Sequence, residues 1–212
     1  MSEHLTLWNE VRKVDPAFTK EVNAPGKPNF TNIDTYYLIQ TATKHFGSYG
    51  KGFGLKELSI DEVHLGDTII AKLHGTFFYP DGSFPVYNAL KLVYKTKQGY
   101  DKIDEDVYKK IITNTIGKAL SYLGFGADIY MGKFEDAAYV QEVAQEFAME
   151  EYHGYLSTIT GYINQAEHKE KVTAWVLERG GVQSIDALSY EKAKEIAKLI
   201  NQKKKRAGHA AA

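Results

Sequence analysis

The sequence predicts an α+β protein in which three consecutive strands precede a long helix and a small helical unit closes the chain. Two observations lead to this reading. Residues 53–95 carry strand-like alternation broken by the turn Tyr79-Pro80-Asp81-Gly82-Ser83. The segments around them keep the three-to-four-residue apolar spacing of helices. At 212 residues and 43% hydrophobic content, the chain can fill one domain core and support an appendage.

A short amphipathic helix is expected over about 3–13, with Leu5, Trp8 and Val11 on one face. Asp15-Pro16 breaks it, and Ala24-Pro25-Gly26-Lys27-Pro28 reads as loop. A second helix is expected over about 34–46, because Ile33, Tyr36, Ile39, Ala42 and Phe46 keep helical spacing. Thr31 or Asn32 can cap its start, and Gly47 suits its end. Strands follow near 53–63, 68–79 and 84–95; in the second, Ile69, Ala71, Leu73, Phe77 and Tyr79 share a side. Asp104-Glu105-Asp106 suits the positive end of a helix dipole and opens a helix to Leu123, ended by Gly124.

From Tyr139 the pattern is helical and acidic to about 153, and the stretch Gly154–Gly161 loosens it. Helices are expected over about 169–179 and, capped by Ser189, over 190–203, with Gly180-Gly181 turning the chain between them. Residues 207–212 are low complexity and read as a disordered tail. The resulting division is a core at 1–140, an acidic helical linker at 141–167, a basic helical unit at 168–206 and the tail at 207–212.

Net charge is -1, so no global basic field marks a nucleic-acid partner, and distribution matters more than the sum. Residues 1–133 hold 16 Lys/Arg against 15 Asp/Glu, residues 134–167 hold seven acids and no Lys or Arg, and residues 168–212 hold ten bases against five acids. Cysteine is absent, which removes disulfides and thiolate metal ligands and suits a cytosolic setting. No basic segment followed by an apolar run opens the chain, and no stretch approaches the apolar length of a membrane span, so secretion and a membrane partner are disfavoured.

The motifs of ATP-driven chemistry are missing. Gly-Lys occurs at 50–51, 117–118 and 132–133, but none has the upstream glycine and following Ser/Thr of a phosphate-binding loop. Gly50, Gly52 and Gly54 do not continue as a dinucleotide fingerprint. Histidines are scattered without metal-ligand spacing. Asp104, Glu105 and Asp106 suit a helix cap better than a metal-dependent nuclease, which stays an alternative through Asp104, Asp106 or Asp128. No metal ligand, cofactor or catalytic residue is assigned.

On a wheel of the long helix, Tyr108, Ile112, Thr115, Ile116, Ala119 and Leu123 form the apolar face, and Lys110, Asn114, Gly117 and Ser121 the opposite one, with Lys118 at its edge. Gly117 costs about 1 kcal/mol relative to Ala in mid-helix, so something requires the space: a nucleic-acid backbone or another subunit. Tyrosine is abundant at 15 residues, which suits either base stacking or a strand-rich core.

Thr113-Asn114-Thr115-Ile116-Gly117-Lys118-Ala119-Leu120-Ser121-Tyr122-Leu123-Gly124 resembles the central helix of the single-strand annealing superfamily, the Rad fifty-two-like proteins and phage recombinases of the Sak and Erf kinds. His45-Phe46-Gly47-Ser48-Tyr49-Gly50-Lys51-Gly52-Phe53 resembles that family's entry into its first strand, with Phe53 near its aromatic position. The segments 126–136 and 14–20 are similar to a phage and prophage subgroup, and the likeness covers about residues 5–140. It implies a β-β-β-α annealing core with an antiparallel sheet on the long central helix. It also implies a ring or helical filament of many copies that binds single-stranded DNA and the annealed duplex intermediate. Lys118 matches a basic position, whereas Gly117 stands where the family often has a second one, a loss that Lys109 and Lys110 can offset. DNA-binding candidates are therefore Lys109, Lys110, Asn114 and Lys118, with Lys56, Lys72, Lys91 and Lys95 from the strands. Annealing breaks no covalent bond, so it requires no catalytic acid, base or cofactor. The basic C-terminal unit could gather DNA or dock a single-strand binding protein or replication partner. A non-annealing single-strand binder and an interaction adaptor are the further alternatives.

Overall fold

A computed structural model describes residues 3–23 and 29–210, with side chains for 4–23 and 29–206. The loop expected at 24–28 and the residues 211–212 lie outside the described residues. The fold is α+β and divides into two units, residues 1–143 and 144–212.

The first unit opens with a 3-10 turn, Glu3–Leu5, and helix α1, Thr6–Val11. Val11 is buried, but Leu5 is half exposed, so the expected apolar face holds only in part. A two-stranded ribbon follows, β1 (Thr19–Val22) with β2 (Phe30–Ile33), which the sequence reading missed. Helix α2 (Thr35–Phe46) is capped by Asp34, whose carboxylate accepts from the Tyr36 amide, not by Thr31 or Asn32. Its buried positions are Leu38 and Ala42, whereas Tyr36 points outward.

The main sheet is antiparallel in the order β3 (Gly54–Leu65), β4 (Thr68–Tyr79), β5 (Gly82–Lys95), β6 (Asp101–Ile103). The three expected strands form, and β6 adds a short fourth. Tyr79 pairs with Gly82, so Pro80 and Asp81 make a two-residue hairpin turn. Ala71, Leu73 and Phe77 face helix α3 (Val107–Tyr122) and are fully buried, as the alternation predicts. Just ahead of β3, Gly52 is obligatory: a methyl there would lie 1.7 Å from the Phe46 carbonyl oxygen. The fully buried large rings are Phe53, Phe77 and Phe125, so phenylalanine fills the core while Tyr36, Tyr87, Tyr122 and Tyr130 remain exposed.

Helix α3 begins three residues later than expected, since Asp106 makes no side-chain cap bond and Asp104 instead holds Lys110. Its buried residues include Val107, Ile111, Thr115, Gly117, Ala119 and Ser121, while Tyr108 is exposed. The apolar face is thus rotated from the predicted one. Gly117 and Ser121 leave the polar side because α2 packs there as a second apolar neighbour.

Beyond α3, the short helix α4 (Ala127–Tyr130) holds Asp128, whose side chain is fully buried. Its carboxylate accepts two bonds from the Arg12 guanidinium at 2.9 and 3.1 Å, pairs with Lys133 Nζ at 2.9 Å and accepts from the Tyr139 hydroxyl. Burial alone would push this carboxyl up; Tyr139, Lys133 and Arg12 outweigh it and hold it below the usual carboxylate range.

Helix α5 (Ala137–Gln165) runs without a break through Gly154 and Gly161, and the boundary between units falls inside it. The glycines do not loosen it because buried Ile159 and Ile163 anchor that half. In the second unit these residues share a core with Val176 of α6 (Lys169–Gly180) and with Ala193, Ile196, Ala197 and Ile200 of α7 (Tyr190–Ala210). The acidic stretch is therefore the first helix of a three-helix unit, not a linker. Gly181 takes a left-handed φ of 66° to turn the chain, and Ser189 Oγ accepts from the Lys192 amide. Helix α7 continues through Ala210, past the start of the expected disordered tail.

Candidate nucleic-acid interface

On α3 the exposed side chains Lys110, Asn114, Lys118 and Tyr122 recur every four residues and form one stripe. Buried Gly117 lies behind it. A methyl on Gly117 would sit 3.3 Å from Thr35 Cγ2 and 3.5 Å from Thr35 Oγ1, so the missing side chain lets α2 approach α3 within one chain. This close approach favours a small residue in mid-helix, with no need of a nucleic-acid backbone or another subunit to account for it.

The stripe borders a cleft of about 720 Å³ between α3, β2 and β5. Phe30 and Asn32 come from β2, Thr35 from the start of α2, Pro85 and Tyr87 from β5, and Asn114, Lys118 and Tyr122 from α3, with Tyr130 at the end of α4. Among the described residues no carboxylate lines it. The Lys118 ammonium stands 5.0 Å from the Tyr122 ring centre and 5.5 Å from that of Tyr130, which holds one cation between two exposed rings. Phe30 adds a further exposed ring, whereas Tyr87, opposite His74, turns its exposed ring to the other face of the sheet. Chemically, the wall offers one charge for a phosphate, amides and hydroxyls for polar edges, and flat apolar faces for rings.

Asn88 closes the wall along β5. Its amide donates to Thr115 Oγ1 at 3.1 Å, and its own Oδ1 accepts the Ala89 N–H at 2.8 Å. Beyond the β6 pairing at 93–95, this edge of β5 has no strand neighbour among the described residues, and the Ala89 amide is taken up by the Asn88 side chain. Pro85, of the same parity, has no amide to present. Both features blunt a free edge.

The sequence candidates do not assemble into one groove. Asn114 and Lys118 line the cleft. Lys110 lies on the same stripe, but its ammonium is 2.7 Å from Asp104 Oδ1, which raises the lysine and lowers the carboxyl from their ordinary values. Lys109 is exposed on α3 outside the cleft lining. Lys56, Lys72 and Lys91 share the sheet face turned away from α3, since they pair with or belong to the outward register of Thr76, Lys72 and Ile70. Lys72 there stands opposite Asp61. Lys95 bonds Asp67 at 2.7 Å at the other end of the sheet.

The sequence reading missed Phe30, Asn32, Thr35, Tyr122 and Tyr130. Lys118 and Tyr122, four apart on a helix, were within reach of spacing alone. Of the nuclease alternatives, Asp104 and Asp128 each engage cations of this chain, and among the described residues no three acidic or histidine side chains gather as metal ligands. No described helix is long and apolar enough to cross a membrane. No protein-family model and no curated protein matches the chain.

Proposed function

We propose that this protein binds single-stranded DNA in the α3–β5 cleft and anneals complementary strands without ATP, as a homo-oligomeric ring or filament. The observation that carries the reading is the acid-free cleft in which Lys118 lies between Tyr122 and Tyr130. A single strand presents a phosphate beside a flat base at every step, and a cation flanked by rings matches both. The resemblance of residues 113–124 to the central helix of annealing proteins points the same way. Among the described residues β3 has a strand neighbour on one side only, and Lys72, His74 and Tyr87 of the outward register are exposed, surfaces that suit assembly. Such a role belongs in the cytoplasm of a bacterial host, where the C-terminal unit could meet a single-strand binding or replication partner.

Binding of a labelled oligonucleotide across a salt series tests the reading. Single strands should bind more tightly than duplex of equal length, with no requirement for nucleotide or metal. Equal affinity for both would contradict a cleft built for exposed bases.

A further inference from the structure

In the second unit, α6 and α7 run antiparallel, because Arg179 bonds Glu195 while Lys203, two turns further along α7, lies over Trp175, one turn earlier on α6. The chain beyond Lys203 therefore runs beside the start of α6. The Lys203 ammonium stands 4.3 Å from the Trp175 ring centre, and the Lys204 ammonium 5.8 Å from that of Tyr162, near the end of α5. Two adjacent lysines thus cover rings from two other helices.

Charge separates along the unit. At the end away from Trp175, bases are neutralised: Arg179 and Lys192 share Glu195, and Glu151 accepts from Tyr155 and Tyr190 beneath Lys194. At the other end, Lys169, Lys171 and the run Lys203-Lys204-Lys205-Arg206 face only Glu167 and Glu170 in the adjoining sequence. Among the described residues none of these six bases makes an ion pair. The dipole of α7 favours positive charge in its last turn. It does not require that two ammonium groups rest on rings partly buried against the core of the unit.

We infer that this end of the helical unit is a second binding site for single-stranded nucleic acid, separate from the cleft. Lys203, Lys204, Lys205 and Arg206 take phosphates, and a base stacks on Trp175 as Lys203 shifts from ring to phosphate. The cation–π contact keeps the lysine positioned beside the ring before the strand arrives, and the exchange costs little because the phosphate replaces one attraction by a stronger one. The cleft reading and this one can fail separately, since they rest on residues of different units.

Tryptophan emission of the full chain tests it, because the protein has two tryptophans, Trp8 and Trp175. Oligothymidylate should quench emission at low salt, and Trp175→Phe, which keeps an aromatic ring in the core, should remove the quench. Lys203→Gln/Lys204→Gln should weaken the quenching interaction by about tenfold, from the loss of two phosphate contacts. Lys118→Ala should leave it in place. A quench that persists in Trp175→Phe, or one produced equally by heparin, would overturn base stacking at this site. No change with the strand at low salt, with binding still detected by anisotropy, would likewise overturn it and leave the basic end to a protein partner.

Discussion

The ammonium of Lys118 stands 5.0 Å from the centre of the Tyr122 ring, one turn along the same exposed stripe of α3. Lys110 lies on that stripe too, yet its charge is already spent on Asp104. The two lysines should therefore differ in binding. Lys118→Ala should weaken single-stranded DNA binding and reduce the salt slope by roughly 0.7, the share of one phosphate contact. Lys110→Ala should change both much less. A salt series for the two variants checks this, and equal losses would mean that the Asp104 pair opens to DNA.

Gly117 offers a stability test of the α2–α3 contact. Alanine gains about 1 kcal/mol of helix propensity. Against that, its methyl meets Thr35 at 3.3 Å, a distance a threonine rotamer change can relieve. Gly117→Ala should thus shift stability by less than about 1 kcal/mol, whereas Gly117→Leu should overpack the contact and cost roughly 1–3 kcal/mol. Denaturant melts decide it; a harmless leucine would show that the helices separate freely.

Asp128 ties the end of α1 to the segment after α3. Asp128→Asn leaves Arg12 and Lys133 without their shared counter-charge and should cost about 3 kcal/mol at neutral pH. The sign with pH follows from a carboxyl held below its ordinary range. Its contribution is complete above the unfolded value of about 4 and is lost as pH falls through the lower folded value. The stability gap between wild type and variant should close in acid. A gap unchanged down to about pH 2 would assign the effect to packing instead of charge.

Helix α5 sets where the chain can be cut. A chain ending at residue 165 keeps Ile159 and Ile163 but loses the α6 and α7 residues that cover them, so it should aggregate or bind hydrophobic dyes. A chain ending near residue 150 keeps Val143 and omits that apolar half, so it should stay folded and dispersed. Size-exclusion profiles separate the two outcomes, and a dispersed 165-residue form would contradict the three-helix core.

Much of the fold was legible because its signals are local. Alternation at Ala71, Leu73 and Phe77 marked the buried face of β4, and Tyr79-Pro80-Asp81-Gly82 marked the hairpin. The rotation of α3 was not legible, since Gly117 and Ser121 are small residues that suit either solvent or a close neighbour, and only α2 decides between them. The unbroken course of α5 was hidden for the same reason: Gly154 and Gly161 weaken a local pattern that tertiary burial restores. In the cleft, Lys118 and Asn114 stood out by type. Phe30 and Tyr130 did not, because the folded chain brings them to Lys118 from distant segments. The facing of the strand lysines was not legible, since sequence alone does not say which face of the sheet receives the helix; the register puts Lys56, Lys72 and Lys91 on the other one.

The central claim is strand annealing by the Lys118–Tyr122 cleft, and the most direct measurement is the rate at which complementary oligonucleotides pair with the protein and no nucleotide. Wild type should accelerate pairing well above the protein-free rate, and Lys118→Ala/Tyr122→Ala should lose most of that acceleration, about tenfold or more from one phosphate and one stacking contact per subunit. Strands that are bound but pair no faster than in free solution, or a folded double variant that anneals as fast as wild type, would contradict the account.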